Sequence, residues 1–143
     1  MDIQIQGIEK VIERFDKITD INRMRRAVGE ACALVEGAAR EKAPKGVTGD
    51  LRKFMDSKVD VIGNEVIGTV FNPLEYAPYV EFGTGLFAEN GNGRKDVPWA
   101  YEDEKTGELI WTKGNHPQPF LRPALNENRE EVKRILKEGL LND

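Results

Sequence analysis

The sequence predicts an α+β fold in which an antiparallel sheet is packed against a long helix and a C-terminal helix, with an inserted loop and hairpin. Three observations carry that prediction. Apolar residues recur at helical spacing in the first third of the chain and again in its last stretch. Between them lie valine-rich segments divided by Gly63-Asn64, a turn dipeptide. The remaining stretch is rich in glycine, proline and aromatic residues and fits neither period.

The elements follow in order. Ile8, Val11, Ile12, Phe15 and Ile18 alternate with charged residues and predict a short amphipathic helix over about 8–18. Thr19-Asp20 offers capping side chains for a longer helix over 20–42, with a stripe of Ile21, Met24, Val28, Ala31, Val35 and Ala38. Recurrent Ala and Gly along it allow another element to approach closely, and Pro44 ends it. Lys45 to Asp50 reads as a turn-rich connector. A sheet is expected over about 55–72, its two strands carrying Val59, Val61, Val66 and Thr69-Val70-Phe71 around the Gly63-Asn64 turn and closing at Asn72-Pro73.

The stretch Tyr76 to Thr84, YAPYVEFGT, reads as a helical turn begun at Pro78 and ended by Gly83 in a left-handed conformation. Val80 or Phe82 is expected to be buried against the long helix, leaving Glu81 to cap or pair locally. Residues 85–114 form an insert: a polar, glycine-rich run over 88–96 expected to be mobile, then a hairpin with Trp99, Tyr101, Leu109 and Trp111 on one face. The last helix is placed at 122–141, with Pro123 in its first turn.

The whole is read as a single domain of 143 residues, 39% hydrophobic and 32% charged. A net charge of -4 argues against a dedicated sequence-independent DNA binder. One cysteine, Cys32, excludes an intramolecular disulfide and is expected to be a buried structural thiol. No signal peptide or membrane span is read from the N-terminal residues, which points to a reducing cytoplasm.

Catalytic chemistry finds little support. The single histidine, His116, has no nucleophile motif beside it, and one Cys with one His cannot furnish a structural zinc site. Glu102, Asp103, Glu104 and Glu108 match no calcium loop and suit the outward positions of a hairpin. Gly83-Thr-Gly85 is too short to cradle phosphate. The chain is therefore expected to be no enzyme, with no metal and no cofactor. Two other readings stand beside this one. A small nucleic-acid-binding module would use the basic cluster Lys42, Lys45, Arg52 and Lys53, with Tyr76, Tyr79 or Trp111 as stacking rings. A small hydrolase or toxin would be built on His116 and Glu81.

Aromatic residues concentrate between 71 and 120 in irregular backbone, where they offer large contact area at small entropic cost. Candidate anchors are Tyr76, Tyr79, Phe82, Gly83, Trp99, Trp111, Phe120 and Arg122.

A long alanine-rich helix ending in Ala43-Pro44, then Thr48-Gly49 with Leu51-Arg52, a valine-rich strand pair, YVEFGT and finally PQPFLRPAL resemble the HK97 gp10-like phage proteins. The resemblance runs from about residue 20 to the C-terminus. It implies a virion structural protein that forms a ring at the head–tail neck and joins or completes the tail. Its partners would be further copies of itself, six-fold by preference and twelve-fold as the alternative, together with the adjacent head-connector and tail-tube or tail-terminator proteins. DNA would be passing cargo and no membrane is implied; the host cytoplasm would hold the protein before assembly.

Overall fold

The computed structural model describes residues 2–4, 21–46, 49–91 and 93–141. The helix expected over 8–18, its neighbouring cap at Thr19-Asp20, and Thr48 lie outside the described residues. In chain order the elements are β1 (Asp2–Gln4), α1 (Ile21–Lys42), α2 (Asp50–Lys53), β2 (Asp56–Ile62) and β3 (Glu65–Phe71). These are followed by α3 (Ala77–Phe82), β4 (Trp99–Glu102), β5 (Leu109–Thr112), α4 (Leu121–Glu127) and α5 (Arg129–Leu141). This is the mixed architecture expected, with two small antiparallel sheets. The contacts gather into two compact units, Met1–Leu74 with Phe120–Asp143, and Glu75–Pro119.

The first unit is organised by α1, which packs on β2, β3, α4 and α5. Serving both a sheet and two helices, it must bury more than one narrow stripe. Met24, Ala27, Val28, Ala31, Cys32, Val35 and Ala39 are buried, whereas Ile21 and Ala38 of the expected stripe are only half-buried. Each fully buried valine stabilises the unit by about 1.5–3 kcal/mol. Small residues set the helix spacing: a Cβ built on Gly139 of α5 would lie 2.7 Å from Ala27 Cβ. Burial pushes the Cys32 thiol up to about 11, with nearby Glu36 adding to the effect.

The β2–β3 hairpin turns at Gly63-Asn64 as expected, with Ile62 opposite Glu65 and Gly63 at φ +60°. Two short elements escaped the sequence reading. Asp2–Gln4 adds β1 to the far side of β3, giving the order β1-β3-β2; three residues give too short an alternation to be read as a strand. Asp50–Lys53 forms one helical turn whose buried member is Leu51. Asn72, fully buried, pins that turn: its Nδ2 donates to Leu51 O at 2.8 Å and its Oδ1 accepts from Leu74 N at 3.1 Å.

The C-terminal helix begins one residue earlier than expected and is broken, because Asn128 leaves helical geometry and its Nδ2 donates back to Ala124 O at 2.8 Å. Val132, Ile135, Leu136 and Leu140 form the buried stripe of α5. Phe120 and Leu121, both fully buried, complete the first unit's core.

Two outcomes follow. Gly139→Ala should lower Tm, since the clash with an inflexible Ala27 outweighs the roughly 1 kcal/mol gained in helix propensity; thermal unfolding followed by circular dichroism measures it. Because the folded Cys32 pKa is raised, its contribution is fully present below the unfolded thiol's pKa and lost as pH rises toward 11. Native protein at pH 8 should therefore resist thiol reagents, with full labelling only in denaturant.

Candidate functional site

Glu75–Pro119 is built around α3 and the backbone rail that follows it. Pro78 sits in the first turn of α3, as expected, and the helix closes with Gly83 N donating to Tyr79 O at 2.9 Å. Its faces differ from the expectation. Ala77 and Glu81, one turn apart, are fully buried, Val80 is half-buried, and Phe82 is 38% exposed. With Pro78 fixing the first turn, the i to i+4 pairing of Ala77 with Glu81 decides which face turns inward. Tyr76 and Tyr79 lie on the surface.

Gly83 leaves the helix at φ 81° and ψ 174°, an extended conformation of positive φ and not the left-handed helical one expected. Only glycine adopts it readily. Close approach makes a second demand, because a Cβ there would lie 2.9 Å from Asn115 O, Phe87 O and Pro117 Cδ. The chain then runs against 113–115: Thr84 N donates to Asn115 O at 2.9 Å, Leu86 N to Lys113 O at 3.0 Å, and Asn115 N to Thr84 Oγ1 at 2.8 Å. Gly85 and Gly114 meet backbone where any side chain would collide. A 3-10 turn, Gly85–Phe87, precedes the run expected to be mobile over 88–96, and a second, Glu89–Gly91, lies within it. His116 is exposed, its ring 3.9 Å from that of Phe87 and tilted by 34°.

The β4–β5 hairpin forms, but its register divides the four residues expected on one face. Trp99 pairs with Thr112 and Tyr101 with Ile110, while Trp111 pairs with Ala100 and Leu109 with Glu102. Paired residues share a face, so Trp99 and Tyr101 lie opposite Leu109 and Trp111. The turn length, which the sequence left open, sets this parity. Two of the turn's polar residues have local work: Asp103 Oδ1 accepts from Lys105 N at 2.8 Å, and Thr106 Oγ1 from Glu108 N at 3.3 Å.

Tyr79, Phe82, Gly83 and Trp99 converge on one open groove of about 720 Å³. At its margin the Arg94 guanidinium lies 5.2 Å from the centre of the Trp99 ring and forms a two-point pair with Asp96 at 2.8 and 3.2 Å. The hydrogen bond from Arg94 holds the Asp96 carboxyl below its ordinary range. Trp111, 64% exposed, stands outside the groove, as does Tyr76. Phe120 is a core residue of the other unit, offering no surface, and Arg122 is half-buried there. Arg94, which the sequence reading did not single out, joins the group; no signal short of the fold places it beside Trp99.

Two residues of the basic cluster have partners within the chain, while Lys45 and Lys53 are exposed. Arg52 Nε donates to Ala43 O at 2.8 Å, and Lys42 Nζ pairs with Glu127 at 2.5 Å. Among the described residues no three His, Cys, Asp or Glu side chains group to hold a metal ion. No described helix is long and apolar enough to cross a membrane.

The family model described as "Bacteriophage HK97-gp10, putative tail-component" matches residues 9–83. The chain belongs to the HK97-gp10-like family. Membership brings the family's assignment, a structural component of a phage tail, and with it the virion as the place of work. The match begins earlier than the resemblance read from the sequence and stops at Gly83, so PQPFLRPAL and the hairpin lie outside it. No curated protein and no solved structure matches the chain significantly.

Gly83→Ala should release the rail. The expected readout is faster hydrogen exchange at the amides of Thr84, Leu86 and Asn115, while the amides of α1 keep their protection.

Proposed function

We propose that the chain is a non-enzymatic virion protein that forms a ring at the head–tail neck and joins or completes the tail, with Glu75–Pro119 as its contact surface. The supporting observation is where the uncovered apolar side chains are. Among the described residues, seven of the ten exposed large hydrophobic ones (Tyr76, Tyr79, Phe82, Leu86, Tyr101, Leu109 and Trp111) lie in Glu75–Pro119. A monomer that leaves this many rings and leucines in water has a surface waiting for a protein partner.

The rail and the glycine contacts hold those side chains on ordered backbone, so binding loses less conformational entropy than it would with a slack loop. The partners of such a surface are further copies in the ring, six-fold by preference, and the adjoining connector and tail proteins. The nucleic-acid alternative is the second reading, and two of its four basic residues, Lys42 and Arg52, are engaged within the chain.

Particles carrying Tyr79→Ala with Phe82→Ala should accumulate filled heads and finished tails that do not join, with infectivity reduced by two or more orders of magnitude. Electron microscopy of lysates and plaque titres measure this. Normal particles at wild-type titre would count against the surface and the role together. Wild-type-like secondary structure of the purified double variant excludes a folding defect, because both side chains are exposed.

A further inference from the structure

We propose that the outer edge of β2 is a docking site for β2 of a second copy, paired antiparallel and centred on Val59. This contact goes beyond the ring reading. It is two-fold and lies in the other unit from the aromatic surface.

β2 is an edge strand in the order β1-β3-β2. The two-residue turn closes with Ile62 and Glu65 as a hydrogen-bonded pair, so Ile62, Asp60, Lys58 and Asp56 direct their backbone groups toward β3. Ser57, Val59 and Val61 therefore direct theirs outward. In agreement, Ser57 N donates to the Asp56 side chain at 2.8 Å and not to β3. Among the described residues, no backbone hydrogen bond from another element reaches that outer side.

Edge strands are protected by charge, and here the charges also select a register. Asp56, Lys58 and Asp60 are exposed on one face, Lys58 Nζ lying 3.7 Å from Asp60 Oδ2. An antiparallel partner must align outward-directed residues with outward-directed residues. Centring on Lys58 sets Lys58 against itself and Asp56 against Asp60. Centring on Asp60 sets Asp60 against itself. Centring on Val59 places Lys58 of each copy opposite Asp60 of the other, twice by symmetry, with Val59 opposite Val59 and Ser57 opposite Val61. Parallel pairing in register would stack like charges. Centring on Ser57 also sets Asp56 against Lys58 but pairs only three residues of each strand. Centring on Val59 pairs all seven residues of β2 while satisfying both the backbone phase and the charges, and its occupant is a second copy of this chain.

The test is a charge exchange read by sedimentation equilibrium over micromolar to millimolar protein. Wild type should dimerise. Lys58→Asp or Asp60→Lys alone should weaken dimerisation roughly tenfold, each putting like charges opposite twice. Lys58→Asp with Asp60→Lys together should restore it to within about threefold of wild type, because the pairs are re-formed in reverse. Val59→Pro, which removes an outward N–H while leaving the β3 bonds, should abolish it. Monomeric wild type at all concentrations, or single variants that dimerise like the double variant, would overturn the proposal. Circular dichroism checks that the variants fold. Assembly of virions is read separately, so failure here leaves the ring reading untouched, and the reverse.

Discussion

Close approach of backbones, permitted by small residues, is the constraint on which both units depend. In the first unit α1 gives up bulk at Ala27, Ala31 and Ala39 and so accepts the sheet and the C-terminal helices at once. Gly139 is the matching concession on α5. A helix with large residues at those positions would hold its partners apart, leaving voids whose lining loses dispersion contacts. The core that results is assembled largely from alanine and valine, with Phe120 and Leu121 as its largest fully buried apolar members. It gains from close contact what it lacks in side-chain volume.

The same device serves a different purpose in Glu75–Pro119. Gly83, Gly85 and Gly114 bring two segments of irregular backbone into direct hydrogen bonding. Neither segment is a strand, yet the bonds between them let a glycine-rich stretch hold its shape. That shape displays Tyr79 and Phe82 from one short helix and brings Trp99 to the same groove. Buried Ala77 and Glu81 anchor the other side of the helix. In the proposed role the protein would stay apart before assembly and then bind through apolar surface. Aromatics on ordered backbone, with charged Arg94 and Asp96 beside them, meet both demands.

The sequence reading was accurate where a pattern is long. The 22-residue α1, the Gly63-Asn64 hairpin and the α5 stripe follow from periodicity and turn chemistry. It failed where the signal was a few residues long or depended on parity. β1 has three residues and α2 has four, too few for any period to be read. The faces of the β4–β5 hairpin turned on one residue of register, and the buried face of α3 on a rotation that six residues cannot define. Of the candidate anchors, Tyr79, Phe82, Gly83 and Trp99 come together, whereas Phe120 proved to be core. An aromatic between Pro119 and Leu121 looks the same in one dimension whether it points inward or outward.

By itself, then, the sequence determined the fold class, the long elements, the buried thiol and the family, because periodicity, turn dipeptides and motif order are local and additive along the chain. Only the tertiary structure decided which aromatic residues share a groove, that Glu81 carries the buried side chain of YVEFG, and that Gly83 needs positive φ at ψ 174° and not a helical cap. Those outcomes depend on what lies opposite each residue in space. Asn115 and Pro117, which leave Gly83 no room for a side chain, are more than thirty residues away in the chain.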